Sequence, residues 1–236
     1  VSMRIVSVNV GGPKRVTWNG KEVRTSIFKN PVDGPVEVAP HNLAGDAQSD
    51  LTVHGGATKA VYAYPAEHYA FWRGEYPDLE MPWGQFGENL TVEGLDEASL
   101  HVGDRLRVGT AELMVTEPRM PCFKLGVRFG RMDVVKRFLD ARRPGFYLAV
   151  TRAGAVAAGD AVVRTGEDPQ RVSVADIVRV HLDDKRDWDT MERALRIECL
   201  PAQWREEFAE RLEERHGAAW PSEKPRGGNT AMPDEQ

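Results

Sequence analysis

The chain has 236 residues, a formal net charge of -5 and a hydrophobic share of 41%, enough for one substantial core and a small second unit. A mildly acidic, well-mixed surface argues against general nucleic-acid binding, which needs a basic face to neutralise phosphates. No run reaches the roughly 20 apolar residues of a membrane span, no secretory signal is read at the start, and two cysteines make no disulfide scaffold, so a cytoplasmic protein with reduced thiols is expected.

In chain order, strands come first. Arg4-Ile-Val-Ser-Val-Asn-Val is rich in β-branched residues and ends at Gly11-Gly12-Pro13. Thr25-Ser-Ile-Phe-Lys, bounded by Asn30-Pro31, and Val36-Glu-Val follow. Ala60-Val-Tyr-Ala-Tyr stops at Pro65, which suits the first position of a helix through Arg73, terminated by Gly74. Leu90-Thr-Val, Arg105-Leu-Arg-Val and Glu112-Leu-Met-Val-Thr repeat the strand pattern between glycine turns. Asp133-Val-Val-Lys-Arg-Phe-Leu carries an N-cap candidate and one apolar side, which predicts a helix. Gly145-Phe-Tyr-Leu-Ala-Val-Thr and Ala161-Val-Val-Arg-Thr complete the strands.

Beyond Pro169 the pattern turns helical. Three short helices are predicted, from Ser173, from Asp187 and from Pro201; in the last, Trp204, Phe208 and Leu212 fall on one face. They are too small to stand alone and should pack on the strands. The Pro-, Gly- and polar-rich stretch 218–236 reads as a disordered tail. The expected class is α+β, mainly β: a strand-rich barrel or sandwich over residues 1–166, then a three-helix unit over 167–217.

Four segments hold chemistry-bearing residues. Pro118-Arg-Met-Pro-Cys-Phe-Lys-Leu-Gly126 sets Cys122 between Arg119 and Lys124 on a proline-stiffened backbone. Nearby cations favour the thiolate, the form that attacks or binds a soft metal; an inert packed thiol is the other reading. In Asp46-Ala-Gln-Ser-Asp50-Leu-Thr-Val-His54-Gly55-Gly56-Ala-Thr-Lys59, exposed amides beside Lys59 could cradle a phosphate, or the glycines simply turn the chain. In Phe86-Gly-Glu-Asn89, the Asn89 amide suits a heterocycle edge or a turn at a strand mouth. Lys21, Arg24 and Lys29 make either a solvated charged face or an anion site. Nucleotide loops, a serine-nucleophile elbow and a zinc ligand set are absent from the sequence.

Taken together, Gly45-Asp46-x-Gln-x-Asp50-Leu-x-x-His54-Gly-Gly-x-x-Lys59-Ala-Val-Tyr-x-Tyr-Pro65, Phe86-Gly-Glu-Asn-Leu90, Val102-Gly-Asp104 and Pro118-Arg-x-Pro-Cys122-x-Lys-Leu resemble the MOSC family, named for the C-terminal domain of molybdenum cofactor sulfurases, in its YiiM-like branch. Gly145-x-Tyr and Ala158-Gly-Asp160 fit as well, and the late helices resemble that branch's helical extension. The resemblance implies a MOSC-type β-barrel with peripheral helices that binds a molybdopterin-type molybdenum cofactor, with Cys122 as molybdenum ligand and catalytic thiolate. It further implies that Lys21, His54, Gly55, Gly56, Lys59, Asn89, Arg119 and Lys124 hold the cofactor. Related enzymes reduce N-hydroxylated compounds such as hydroxylaminopurines. No flavin, haem or iron–sulfur motif is present, so a separate electron-donating reductase partner is implied. Two alternatives stay open: a carrier holding persulfide sulfur on Cys122 or handing on cofactor, and an interaction module in which Cys122 is dispensable. Neither a nucleic-acid nor a membrane partner is expected.

Overall fold

A computed structural model describes residues 2–47 and 56–216. Thirteen strands are described. In chain order they are β1 Arg4–Val10, β2 Lys14–Trp18, β3 Lys21–Thr25, β4 Asn30–Val32, β5 Val36–Ala39, β6 Asn42–Leu43, β7 Val61–Pro65, β8 Leu90–Glu93, β9 Arg105–Val108, β10 Ala111–Pro118, β11 Phe146–Arg152, β12 Gly154–Val156 and β13 Val162–Gly166. The helices are α1 His68–Glu75, α2 Phe123–Phe129, α3 Asp133–Asp140, α4 Val174–Leu182, α5 Trp188–Leu195 and α6 Ala202–His216. A short 3-10 turn, Ala57–Lys59, precedes β7.

Eight strands make the main sheet, in the order β13-β9-β10-β11-β7-β8-β1-β4, with β7 and β8 parallel and the other pairs antiparallel. Its inward face buries Ile5, Val8, Val61, Leu90, Leu106, Leu113, Val115 and Phe146, the apolar positions of strands that alternate in burial or are covered on both faces. The predicted mixed, mainly β class is what forms. The expected barrel is not closed by a continuous ladder: β13 meets the start of β1 through the Arg4–Ala161 bridge and backbone hydrogen bonds such as Ile5 N to Asp160 O and Val162 N to Met3 O, both 2.9 Å.

Local expectations changed in four places. Asn19 and Gly20, both at positive φ, turn the β2–β3 hairpin, so β3 ends at Thr25 where a strand through Lys29 was expected. Pro65 closes β7 instead of opening a helix; α1 starts at His68 and runs through Gly74 to Glu75. The Cys122 segment, read as stiff loop, leads into α2. Asp133 is the first residue of α3, where its side chain makes no cap.

An aromatic cluster of Tyr62, Tyr64, Tyr69, Trp72, Phe86, Phe129 and Phe138 joins α1, α2 and α3 to the outer face of β7. The three C-terminal helices share a core of Ile177, Val180, Met191, Ala194, Trp204, Phe208 and Leu212, closed by Val102 and Met120 of the preceding unit. Ser173 caps α4 through a reciprocal bond with Asp176, and Asp187 caps α5. The expected tail 218–236 lies outside the described residues. No helix among the described residues is long and apolar enough to cross a membrane.

Candidate functional site

The long strand β10 delivers the site's central residues. It ends at Pro118; Arg119, Met120 and Pro121 then carry the chain to Cys122, an extended residue (φ -124°, ψ 175°) immediately before α2. Cys122 is half-buried and opens on a cleft of about 670 Å³. Lys59, Asn89, Arg119, Cys122 and Lys124, from three separate stretches of sequence, line this one cleft.

Arg119 is the most telling of them. It is 6% exposed, its guanidinium lies 5.2 Å from the Tyr62 ring and 5.3 Å from the Phe138 ring, and its Nη1 is buried with no hydrogen-bond partner. Burial opposes its charge, but Tyr62, Tyr147 and Cys122 hold its pKa above the ordinary arginine value. A buried cationic donor left unsatisfied is costly, and an anion in the cleft would relieve that cost.

The floor rests on Asp46. Its carboxylate accepts from Gly11 N (2.9 Å), Lys29 Nζ (2.5 Å) and Asn89 Nδ2 (2.9 Å). Asn89 also accepts from Tyr62 N at 3.1 Å and donates to Asn9 O at 3.4 Å. Its amide thus ties three elements together while lining the cleft. Lys29 is 7% exposed, so the solvated-face reading fails for it; burial lowers its pKa, against the pull of Asp46. Glu88 folds the loop before Asn89: it accepts from Tyr69, Gly84 N and Phe86 N, and burial raises its pKa. Gly87 has φ 81°, and a Cβ there would meet Ile27 Cγ1 at 2.8 Å, so the cleft wall admits only glycine.

Behind Cys122, the buried Glu117 carboxylate accepts from Trp204 Nε1 (3.0 Å) and Gln203 Nε2 (2.7 Å) of α6 and sits 3.9 Å from Lys59 Nζ. Burial raises its pKa, with Lys59, Trp204 and Thr58 pulling the other way.

The remaining expected residues fall elsewhere. Lys21 is exposed at the far end of β3 from Thr25, roughly 13 Å along the strand from that cleft-lining residue. Gly56, at φ 104°, is exposed and begins the turn that presents Lys59. His54 and Gly55 lie outside the described residues, as does Asp50. Asp46, Tyr62, Tyr147 and Glu117 were not expected as site residues, although Asp46, Tyr62 and Tyr147 stand in the family-like pattern; Lys29 was one of three cations read as either a solvated face or an anion site. Among the described residues no group of three or more His, Cys, Asp or Glu could hold a metal ion.

Residues 50–163 match the family model for the MOSC domain, and residues 172–215 match that for the YiiM-like 3-alpha helix domain. The uncharacterized protein YflK of Bacillus subtilis is 36% identical over 204 residues, 86% of this chain and 92% of that protein. Protein YiiM of Escherichia coli is 32% identical over 182 residues, 76% and 81% of the two chains. A protein named reductase from Gibberella moniliformis is 33% identical over 180 residues, 75% of this chain but 32% of that longer one. The crystal structure of YiiM from Geobacillus stearothermophilus superimposes with a TM-score of 0.74 at 33% identity, covering 89% of this chain and 99% of that one. With the sheet and the helical unit each matched by a family model and the fold shared with YiiM, the chain belongs to the MOSC domain family, in its YiiM-like branch.

Proposed function

We propose that this protein is a molybdenum-cofactor-dependent oxidoreductase that reduces N-hydroxylated compounds, with Cys122 as the protein's ligand to molybdenum. The observation that carries the reading is the cleft itself, lined by one thiol, by Lys59 and Lys124, and by Arg119 with its unsatisfied Nη1 donor. That donor set fits an anionic, phosphate-bearing pterin, and the thiolate is a soft metal ligand. The reductase-named relative supports an oxidoreductase role in general terms.

When bound, the cofactor supplies two-electron, oxygen-removing chemistry. The chain's residues do the rest. Arg119, Lys59 and Lys124 neutralise the anionic end, Asn89 and Asp46 fix the floor, and Cys122 anchors the metal. The overall change is R–NHOH + 2e⁻ + 2H⁺ → R–NH₂ + H₂O, the electrons coming from a separate reductase partner.

Expression in a host that makes the cofactor, followed by measurement of molybdenum and pterin per chain, tests this. Wild-type protein should carry both, and Cys122→Ser should lose most of its molybdenum. Metal-free wild type, or full retention by Cys122→Ser, would overturn the ligand assignment.

A further inference from the structure

Cys122 stands between two clefts. The second, of about 830 Å³, follows the seam between the main sheet and the helical unit, and it shares Lys59, Met120, Cys122 and Tyr147 with the first. Its outer wall comes from the helical unit: His181 on α4 and Gln203, Trp204 and Glu207 on α6.

The two clefts differ in charge. In the first, Lys29 and Asp46 cancel, and Arg119 and Lys124 add positive charge, with Lys59, paired to Glu117, shared by both clefts. In the seam, Lys59 is set against Glu117 and Glu207, while Glu207 also meets His181 at 2.8 Å and pairs with Arg211. The seam is therefore close to balanced. Apart from Gln203 and the Cys122 thiol, the rest of its lining is apolar or aromatic, with Pro118, Met120, Pro121, Tyr147 and the Trp204 ring. An apolar body with a few convergent polar groups is the usual make-up of a small-molecule site. Ionised carboxylates accept hydrogen bonds and repel anions.

We propose that this seam is the substrate's half of the site. It takes an uncharged, partly apolar nitrogen compound whose N–H groups donate to the Glu207 carboxylate, and it turns away anions. Gln203 and Glu207, contributed by the helical unit, set that preference. The assignment rests on Cys122 being where the chemistry happens, and it gives the helical unit a direct part in choosing substrate.

Calorimetric titration of the cofactor-loaded protein with benzamide and benzoate, a neutral donor and an anion of the same shape, tests the proposal. Benzamide should bind saturably and benzoate at least about ten-fold more weakly. Gln203→Leu, at an exposed position, should weaken benzamide several-fold. Glu207→Gln should narrow the benzamide–benzoate gap. Molybdenum and pterin per chain should stay at the wild-type level in both variants. Absence of saturable benzamide binding, benzoate bound as tightly as benzamide, or two variants indistinguishable from wild type would overturn it. If the wild type holds no molybdenum yet binds benzamide through Gln203, the cofactor reading falls and the seam site stands; molybdenum with no benzamide effect gives the reverse.

Discussion

Cys122 and Cys199 separate by surroundings. Cys199 was expected to be a core thiol, and it packs against the helical core with its Sγ 3.8 Å from the Val115 carbonyl. Burial, reinforced by Asp168, pushes it up to about 11. At about pH 8 roughly one molecule in a thousand would then hold it as thiolate, the reactive form. Cys122 instead opens on the cleft beside a cation that it helps to hold charged. Alkylation at that pH should therefore fall on Cys122 and leave Cys199 nearly untouched. Mass spectrometry of the peptides after brief iodoacetamide treatment decides it: equal labelling of the two would remove this distinction. Neither thiol is in a disulfide.

Between elements, the contact with most to say about pH is Glu117 of β10 against α6. Its pKa in the fold is raised by burial. The folded state therefore holds that proton more firmly than the unfolded chain does. The resulting stabilisation is complete below the ordinary carboxylate value and is lost as pH rises through the raised one. The Tm advantage of wild type over Glu117→Gln should accordingly shrink as pH rises above the ordinary carboxylate value. A pH-independent difference in parallel melts would mean that Glu117 titrates as an ordinary carboxylate. At this scale the sequence was legible where one local signal dominated. β-branched runs gave β1 and β7 through β11, and the one-sided patterns gave α3, α4, α5 and α6. The β2–β3 hairpin is weakly marked in the sequence, because its strands mix charged with β-branched residues and only Asn19-Gly20 carries the turn signal. Helix α2 was hidden by Pro118 and Pro121 before it and Gly126 within it. That glycine is there for packing: a Cβ would meet Met132 Sδ at 2.4 Å as α2 turns into α3. The site residues were legible as a family pattern, whereas the Lys29–Asp46 pair was not, since nothing local says that a lysine will be buried against a carboxylate far along the chain.

Across the whole molecule, the question is whether the helical unit is a separate body or part of one. Its core is completed by Val102 and Met120, its first helix follows the Val174 N to Leu100 O hydrogen bond, and Gln203 and Trp204 both donate to Glu117. Three short helices bury too little apolar surface to offset their chain entropy alone. The α6 face Trp204, Phe208 and Leu212 is instead buried within a shared core, as the spacing of those residues predicted. Unfolding should therefore be a single cooperative transition by calorimetry, with the calorimetric and van't Hoff enthalpies equal. Phe208→Ala, which empties a fully buried site, should cost about 3–5 kcal/mol and lower that one transition without splitting it. Two resolved transitions in the wild type, or a variant in which only a minor transition shifts, would show that the helices fold independently of the sheet. In that case the seam between them would be a hinge between bodies, and its cleft would have no fixed shape with which to choose a ligand.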